Sequence, residues 1–102
     1  MILMEKRRPH YFLHEVQKLV AVKGCDAFTL TALTNARLMG LSAEQSLAVI
    51  ASLTPAMFYK SMTTLHNSSM WQDVYHAPTP VGLIAYIKIT MQDGAVEAGG
   101  SV

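Results

Sequence analysis

The residues of this chain that could do polar chemistry lie mostly between Phe58 and Thr90, where lysine, glutamine, histidine and tyrosine side chains occur together. A lysine can stabilise negative charge on a phosphate, and a histidine or tyrosine can transfer a proton. Successive side chains of a strand point to opposite faces, so Tyr86 and Lys88 share one face if their segment is a strand. These residue types on one face of a sheet would form a platform for acid–base or phosphate chemistry.

The stretch FYKSMTTLHNSSMWQDVY, residues 58–75, predicts the β-hairpin that would carry several of these side chains. Both ends are rich in aromatic and β-branched residues, and LHNSS between them has the composition of a turn. Lys60 and Met62 would share one face of the first strand. A third strand is predicted over residues 83–90, and two prolines in residues 76–80 predict a link between the second and third strands. The apolar face of the third strand would consist of Ala85, Ile87 and Ile89.

Three helices are predicted ahead of these strands. Residues 10–22 carry apolar side chains at helical spacing. Residues 29–39 predict a second helix with Leu30 and Leu33 inward, Leu38 as a third candidate and Gly40 as the C-cap. A third helix is predicted after Ser42, with Gln45 as the capping-box partner. Helices followed by strands predict an α+β fold, in which three N-terminal helices pack on a C-terminal antiparallel β-sheet meander.

The chain, residues 1–102, has the length of a single domain, although its two ends differ from the rest. Residues 1–3 could be an extension, with Met4 as an alternative start. Residues 92–102 contain three glycines, which predict a weakly ordered tail and a last strand that is short or altered. A missing last strand would leave the edge of its neighbour exposed.

Composition narrows the class of protein. Hydrophobic residues make up 51% and charged residues 15%, which argues against disorder. The single cysteine, Cys25, excludes an intrachain disulfide and fits a reducing cytoplasm, where we expect the protein. A net charge of +1 argues against general nucleic-acid affinity, but a nuclease needs only local positive charge. His10 and His14 have the spacing of a zinc pair without an evident third ligand, so no metal site is predicted.

Four segments of the chain resemble the signature motifs of the MqsR (motility quorum-sensing regulator) family, in the family's order and at near-family spacing over residues 4–91. They are MEKRRPH (residues 4–10), YKSMTT (59–64), WQDVY (71–75) and YIKIT (86–90). Past Thr90 the resemblance is expected to stop. The family consists of bacterial type II toxins with a RelE-like fold. The resemblance therefore implies an mRNA interferase that cuts single-stranded mRNA at a short GC-containing triplet, without a cofactor of its own, and a cognate antitoxin that contains zinc.

The resemblance also implies roles for individual residues. The family's catalytic lysine, glutamine and tyrosine match Lys60, Gln72 and Tyr86. Lys60 would stabilise charge on the phosphate, Gln72 would orient a phosphate or a base edge, and Tyr86 would protonate the leaving group or stack on a base. Tyr59 and Met62 match positions that line the family's site, although packing explains Met62 better. For each of these residues the alternative is an ordinary strand side chain with no catalytic role.

His76 departs from the family pattern, which carries arginine after Val-Tyr. An arginine would grip a phosphate with two hydrogen bonds, whereas a histidine titrates near pH ~6.5 and could act as acid or base. The change could weaken substrate binding, move proton transfer onto His76, or leave a loop histidine without a role. Lys88, which shares a face with Tyr86, could supply positive charge that the altered C-terminus lacks, or it could be an ordinary solvated lysine.

Two other functions stay open from the sequence. The chain could be a degenerate, non-catalytic member of the family that only binds an antitoxin or another protein. It could also be a transcription cofactor that reaches DNA only through its antitoxin, which the near-neutral charge allows. An RNA-cleavage assay distinguishes the first alternative, and a gel shift of the isolated protein tests the second.

Overall fold

The computed structural model of the protein describes residues 4–64, 69–92 and 95–101. These residues form five strands and three α-helices, and short 3₁₀ turns occur at Gly24–Ala27 and Pro55–Met57. In chain order the elements are β1 (Glu5–Lys6), α1 (Leu13–Lys23), α2 (Leu30–Met39), α3 (Ala43–Ala51), β2 (Phe58–Thr63), β3 (Trp71–Pro78), β4 (Ile84–Gln92) and β5 (Ala95–Ser101).

The five strands form one antiparallel sheet in the order β1-β2-β3-β4-β5, and the helices cover one of its faces. This confirms the predicted α+β class, with three helices ahead of a meander of strands. The sequence did not predict β1, which pairs with β2. This strand consists of only two charged residues, so it has no apolar pattern that would indicate it. The predicted hairpin turn lies partly outside the described residues, at positions 65–68.

Two of the predicted helix ends are confirmed in detail. The Gln45 backbone N–H donates to the Ser42 hydroxyl over 3.1 Å, and the Ser42 N–H donates to the Gln45 side chain over 2.9 Å. This capping box satisfies two of the N–H groups that a helix start leaves unpaired. Gly40 ends α2 with φ of 95°, in the left-handed region that glycine adopts without strain.

The predicted orientation of α2 was wrong for Leu30 and Leu38. Both leucine side chains are more than 80% exposed, while Ala32 is buried and Leu33 is half-buried. The helix is therefore turned so that Ala32, Leu33 and Met39 lie on the side that faces the core and the sheet. Apolar spacing alone could not distinguish this side of the helix from the leucine side.

The hydrophobic core lies between the helices and the inward face of the sheet. α1 and α3 contribute the buried side chains of Val16, Val20 and Ile50, and the sheet contributes Tyr75, Ala77, Ala85, Ile87 and Ile89. Each fully buried aliphatic side chain of this size stabilises the fold by about 1.5–3 kcal/mol. Burial, together with the charge of Asp73, raises the pKa of Tyr75 to about 12, so this tyrosine remains neutral in the core.

Residues 76–80 were predicted as a link between strands, and this was wrong for residues 76–78. β3 continues to Pro78, so His76 is a strand residue and pairs with Tyr86 of β4. A proline is tolerated here because it is the last residue of the strand, where a missing N–H leaves the ladder intact. The following turn closes by hydrogen bonds between Thr79, Gly82 and Leu83.

The final strand, β5, covers the outer edge of β4. Residues 95–101 pair with β4 from Gln92↔Ala95 to Tyr86↔Ser101, in the region whose composition predicted a short or altered strand. The two edges of the sheet are therefore β1 and β5. Within the described parts of the chain, no helix has both the length and the apolar character that crossing a membrane requires.

Candidate active site

Most of the candidate site residues share the sheet face that the helices leave uncovered, which we call the open face. On β4 the side chains of Ala85, Ile87 and Ile89 are buried under the helices, whereas Tyr86 and Lys88 are exposed. The alternation predicted for this strand is thereby confirmed. Strand pairing continues the open face across β2 and β3, where it includes Lys60, Met62, Gln72 and His76.

Two lysines of the open face flank one buried valine. Lys60 on β2 and Lys88 on β4 both pair with Val74 of β3, and Val74 is only 3% exposed. Their backbones are two strand spacings apart, about 10 Å. Long lysine side chains can lean toward each other over the valine, so both ammonium groups can reach a single phosphodiester.

A β-bulge next to Lys60 turns Tyr59 toward the centre of the open face. The register between β2 and β3 shifts between Phe58 and Lys60, which leaves Tyr59 as the extra residue. The Tyr59 ring lies 4.5 Å from the His76 ring, and the His76 ring lies 4.1 Å from that of Tyr86. A bulge commonly re-aims a side chain in this way. Here it produces a stack of three rings, Tyr59–His76–Tyr86, across three neighbouring strands.

The position of the His76 ring restricts its chemistry. Its Nε2 atom is buried and has no hydrogen-bond partner among the described residues. Tyr59 and Tyr86, which stack on either side, are 43% and 44% exposed. Burial of Nε2 hinders proton transfer at this atom, whereas the exposed parts of the two tyrosines are available to a ligand.

Lys60 has a partner that sequence reasoning missed. Its ammonium group donates to the carboxylate of Glu5 over 2.7 Å. This hydrogen bond and the positive charge of Lys60, with a smaller effect from Arg7, hold the pKa of Glu5 below its usual value. Arg7 itself lies on the same side, with its guanidinium carbon 5.5 Å from the centre of the Tyr59 ring.

Asp73 of β3 binds the segment that follows β1 and so holds β1 beside the site. Its buried carboxylate accepts hydrogen bonds from the backbone N–H groups of His10 and Tyr11, over 2.9 to 3.1 Å. The backbone of Met4 is bonded to Thr63 in addition, through both its N–H and its carbonyl group. Charge-assisted bonds of this kind are stronger than neutral ones, so they fix the segment that carries Glu5 and Arg7.

Gln72 lies on the open face but at its far end. It pairs with Met62, and it lies four positions before His76 on β3, a distance of about 13 Å. The pair of Lys60 and Val74 lies between the pair of Met62 and Gln72 and the pair of His76 and Tyr86. Gln72 and Tyr86 therefore cannot contact the same atom, although both can reach different groups of one extended RNA segment.

A second group of polar side chains lies at the β1 edge, outside the open face. The Lys6 ammonium is 4.3 Å from the centre of the Trp71 ring and 2.7 Å from Nδ1 of His10. Partial burial and the charge of Lys6 lower the pKa of His10. His10 precedes α1, so it and His14 are not on one turn of a helix. The described residues contain no group of three metal-ligating side chains.

These features define a small α+β protein in which an antiparallel sheet presents lysines and aromatic rings on one face, with helices on the other. The family described as "Motility quorum-sensing regulator, toxin of MqsA" matches residues 8–97. The mRNA interferase toxin MqsR of Escherichia coli (strain K12) is 44% identical over 88 residues, which are 86% of this chain and 88% of that protein. The chain belongs to the MqsR toxin family, as its motifs predicted. The match continues to residue 97, so the prediction that the resemblance ends near Thr90 was wrong.

Proposed function

We propose that the protein is the toxin of a type II toxin–antitoxin pair and that it cleaves single-stranded mRNA without a metal ion. Its family and its mRNA interferase relative support this activity. The observation that carries the site is the juxtaposition of Lys60 and Lys88 around Val74, beside the stack of aromatic rings. Positive charge next to exposed rings fits one phosphate and the base attached to it.

The proposed reaction is a transesterification within the RNA. The ribose 2′-hydroxyl loses its proton to a solvent water, its oxygen forms a bond to the adjacent phosphorus, and the bond from phosphorus to the 5′-oxygen breaks. The products are a 2′,3′-cyclic phosphate and a 5′-hydroxyl. Lys60 stabilises the charge that develops on the phosphoryl oxygens, with Lys88 as the second cation, and Tyr86 donates a proton to the leaving 5′-oxygen.

The other residues of the open face bind and orient the substrate in this proposal. Tyr59 offers an exposed ring for a base, and Gln72 hydrogen-bonds a neighbouring nucleotide. His76 keeps the two tyrosines apart and oriented, which the burial of its Nε2 favours over proton transfer. Met62, half-buried opposite Gln72, packs beneath the RNA.

A cognate antitoxin is the proposed protein partner, because the family is described as the toxin of MqsA. We propose that this antitoxin contains zinc, that any contact with DNA runs through it, and that the pair acts in the cytoplasm. A non-catalytic binding role is the weaker alternative, because Lys60, Gln72 and Tyr86, which match the family's catalytic residues, are all present and share the open face.

The test is cleavage of a defined single-stranded RNA by the wild type and by Lys60→Ala, with a chelator present and with the cut ends mapped by primer extension. We expect discrete cuts with cyclic phosphate ends, and a loss of about 10²–10³-fold or more in the variant, as for removal of one charge-stabilising donor. Lys18→Ala is the matched control, because Lys18 is exposed on α1 in the helix layer.

Circular dichroism and urea unfolding of both variants would establish that they are folded. Cleavage by Lys60→Ala at the wild-type rate would refute the role of Lys60. Absence of cleavage by the folded wild type would support the non-catalytic alternative, and binding to the antitoxin would then be the activity to measure.

A further inference from the structure

We infer that Glu5 occupies the place of the substrate phosphate at Lys60, so that RNA must displace the Glu5 carboxylate and Glu5 thereby sets the affinity for RNA. This inference rests on the proposed function, because it concerns how the same lysine receives its substrate. It adds a residue of β1 to the site and assigns it a role that opposes binding.

The geometry places an anion where the substrate's anion would bind. The Glu5 carboxylate is 2.7 Å from the Lys60 ammonium, the distance of a charge-assisted hydrogen bond. The Glu5 side chain is 44% exposed, whereas that of Lys60 is 21% exposed. The carboxylate therefore occupies one hydrogen-bonding direction of the ammonium at a place that solvent, and hence RNA, can reach.

The strand that carries Glu5 is fixed, but the side chain is free to turn away. Hydrogen bonds to Thr63 and Asp73 hold the backbone on both sides of Glu5. The ion pair itself is solvent-exposed, and exposed ion pairs are weak. A phosphate can therefore take over the ammonium while β1 stays in place.

Two anions cannot share Lys60 without mutual repulsion, so the carboxylate has to leave the ammonium as the phosphate arrives. Arg7 is on the same side of the sheet and close enough to act on the charge of Glu5. It gives the displaced carboxylate a second cation to approach. The cost of displacement is paid at every binding event, which is why a neutral residue at position 5 should bind RNA more tightly.

The experiment measures binding of a single-stranded RNA in which fluorine replaces every 2′-hydroxyl, so that it cannot be cut. Fluorescence anisotropy of this RNA gives Kd for the wild type and for Glu5→Gln. We expect Glu5→Gln to bind about two- to fivefold more tightly, the range that the loss of one weak competing ion pair allows. Glu44→Gln is the matched control, because it changes the net charge equally in the helix layer and should leave Kd unchanged.

A double variant isolates the pair. Once Lys60 is replaced by alanine, Glu5 has no ammonium to cover, so Glu5→Gln should no longer improve binding in the Lys60→Ala protein. A gain of the same size in that background would show that Glu5 repels RNA in general, and it would overturn the assignment of its role to Lys60.

Two further outcomes would overturn the inference while leaving the proposed function intact. In both, the wild type cuts RNA and the Glu5→Gln variant fails to bind it more tightly. If kcat of Glu5→Gln is also unchanged, Glu5 has no role at the site. If kcat of Glu5→Gln falls at unchanged affinity, Glu5 is identified as the base that accepts the 2′-hydroxyl proton. If the folded wild type neither binds nor cuts RNA, the proposed function fails and this inference fails with it.

Discussion

The lysine at position 60 has two anionic partners, one in its own chain and one in the proposed substrate. Its face was predicted from the alternation of one strand, but its partner Glu5 comes from a strand that no local pattern indicated. The same ammonium group is therefore used in the free protein and in the proposed complex. Its neighbours determine its availability, and they can be tested one at a time.

The titration of Glu5 tests the ion pair directly. A lowered pKa means that the pair is present above the usual carboxylate range and is lost as the pH falls through the pKa of the folded protein. We expect the Glu5 carboxyl carbon to titrate in NMR spectra below 4.5, and to move up toward 4.5 in Lys60→Ala. In Lys18→Ala the titration should not change. If the pKa of Glu5 is the same in Lys60→Ala as in the wild type, the ion pair does not form in solution.

Substitution of His76 tests whether it orients rings or transfers a proton. His76→Phe keeps an aromatic ring between Tyr59 and Tyr86, so we expect cleavage to stay within about threefold of the wild type, whereas His76→Ala removes the ring and should lose about tenfold or more. Cleavage rates between pH 5 and 8 provide the measurement, and His14→Phe on α1 is the control. A loss of about 10²–10⁴-fold in His76→Phe, with a changed pH profile, would instead identify proton transfer.

At the scale of elements, the buried carboxylate of Asp73 connects β3 to the segment that follows β1. We expect Asp73→Asn to lower the free energy of unfolding by about 1.5–3 kcal/mol, because hydrogen bonds to a charged acceptor are worth this much. Urea unfolding measures the change. Asp26→Asn, at an exposed aspartate, should stay within about 0.5 kcal/mol of the wild type. Equal stabilities of the two variants would mean that Asp73 does not hold the segment in place.

Local patterns predicted most of the elements. Apolar spacing indicated the three helices, and Ser42 with Gln45 indicated where α3 begins. Aromatic and β-branched composition indicated β2 and β3, and alternation indicated β4. Each of these signals lies within a few residues of the chain. The inward side of α2 depends on what packs against it, which explains why Leu30 and Leu38 were assigned wrongly.

The candidate site was predictable only in part, because several of its contacts depend on residues that are distant in the chain. Alternation alone places Tyr86 beside Lys88, and family motifs single out Lys60, Gln72 and Tyr86. The stack of Tyr59 on His76 needs a bulge and a strand that runs on to Pro78. The Glu5 contact depends on β1, which is held by bonds from residues more than 60 positions away in the chain. Non-local pairing of this kind leaves no local signal.

At the scale of the whole molecule, a net charge of +1 conceals an uneven distribution. Three cations, Arg7, Lys60 and Lys88, lie on or beside the open face, so RNA binding can be electrostatic although the protein is nearly neutral. With Lys60 and Lys88 as the two phosphate contacts, and Arg7 approached by the displaced Glu5 carboxylate, the slope of log Kobs against log salt concentration should be about −1.4.

Anisotropy titrations of the uncleavable RNA between 50 and 200 mM salt (about the range over which such slopes are read) provide this slope. Lys88→Gln should reduce its size by about 0.7, and Lys18→Gln should leave it unchanged. A slope near zero in the wild type would contradict a phosphate site on the open face. A slope that both lysine variants reduce equally would indicate diffuse attraction.

The ion pair between Glu5 and Lys60 also imposes an order in time. It joins residues 55 positions apart, and the segment between them contains all the helices of the described residues. Contacts so distant in the chain form more slowly than a helix or a hairpin, because a long loop has to close first. The hairpin that carries Lys60 can therefore assemble before β1 docks. In a refolding or newly made chain, docking of the first strand is the step that turns an uncovered ammonium into one already neutralised by the protein itself.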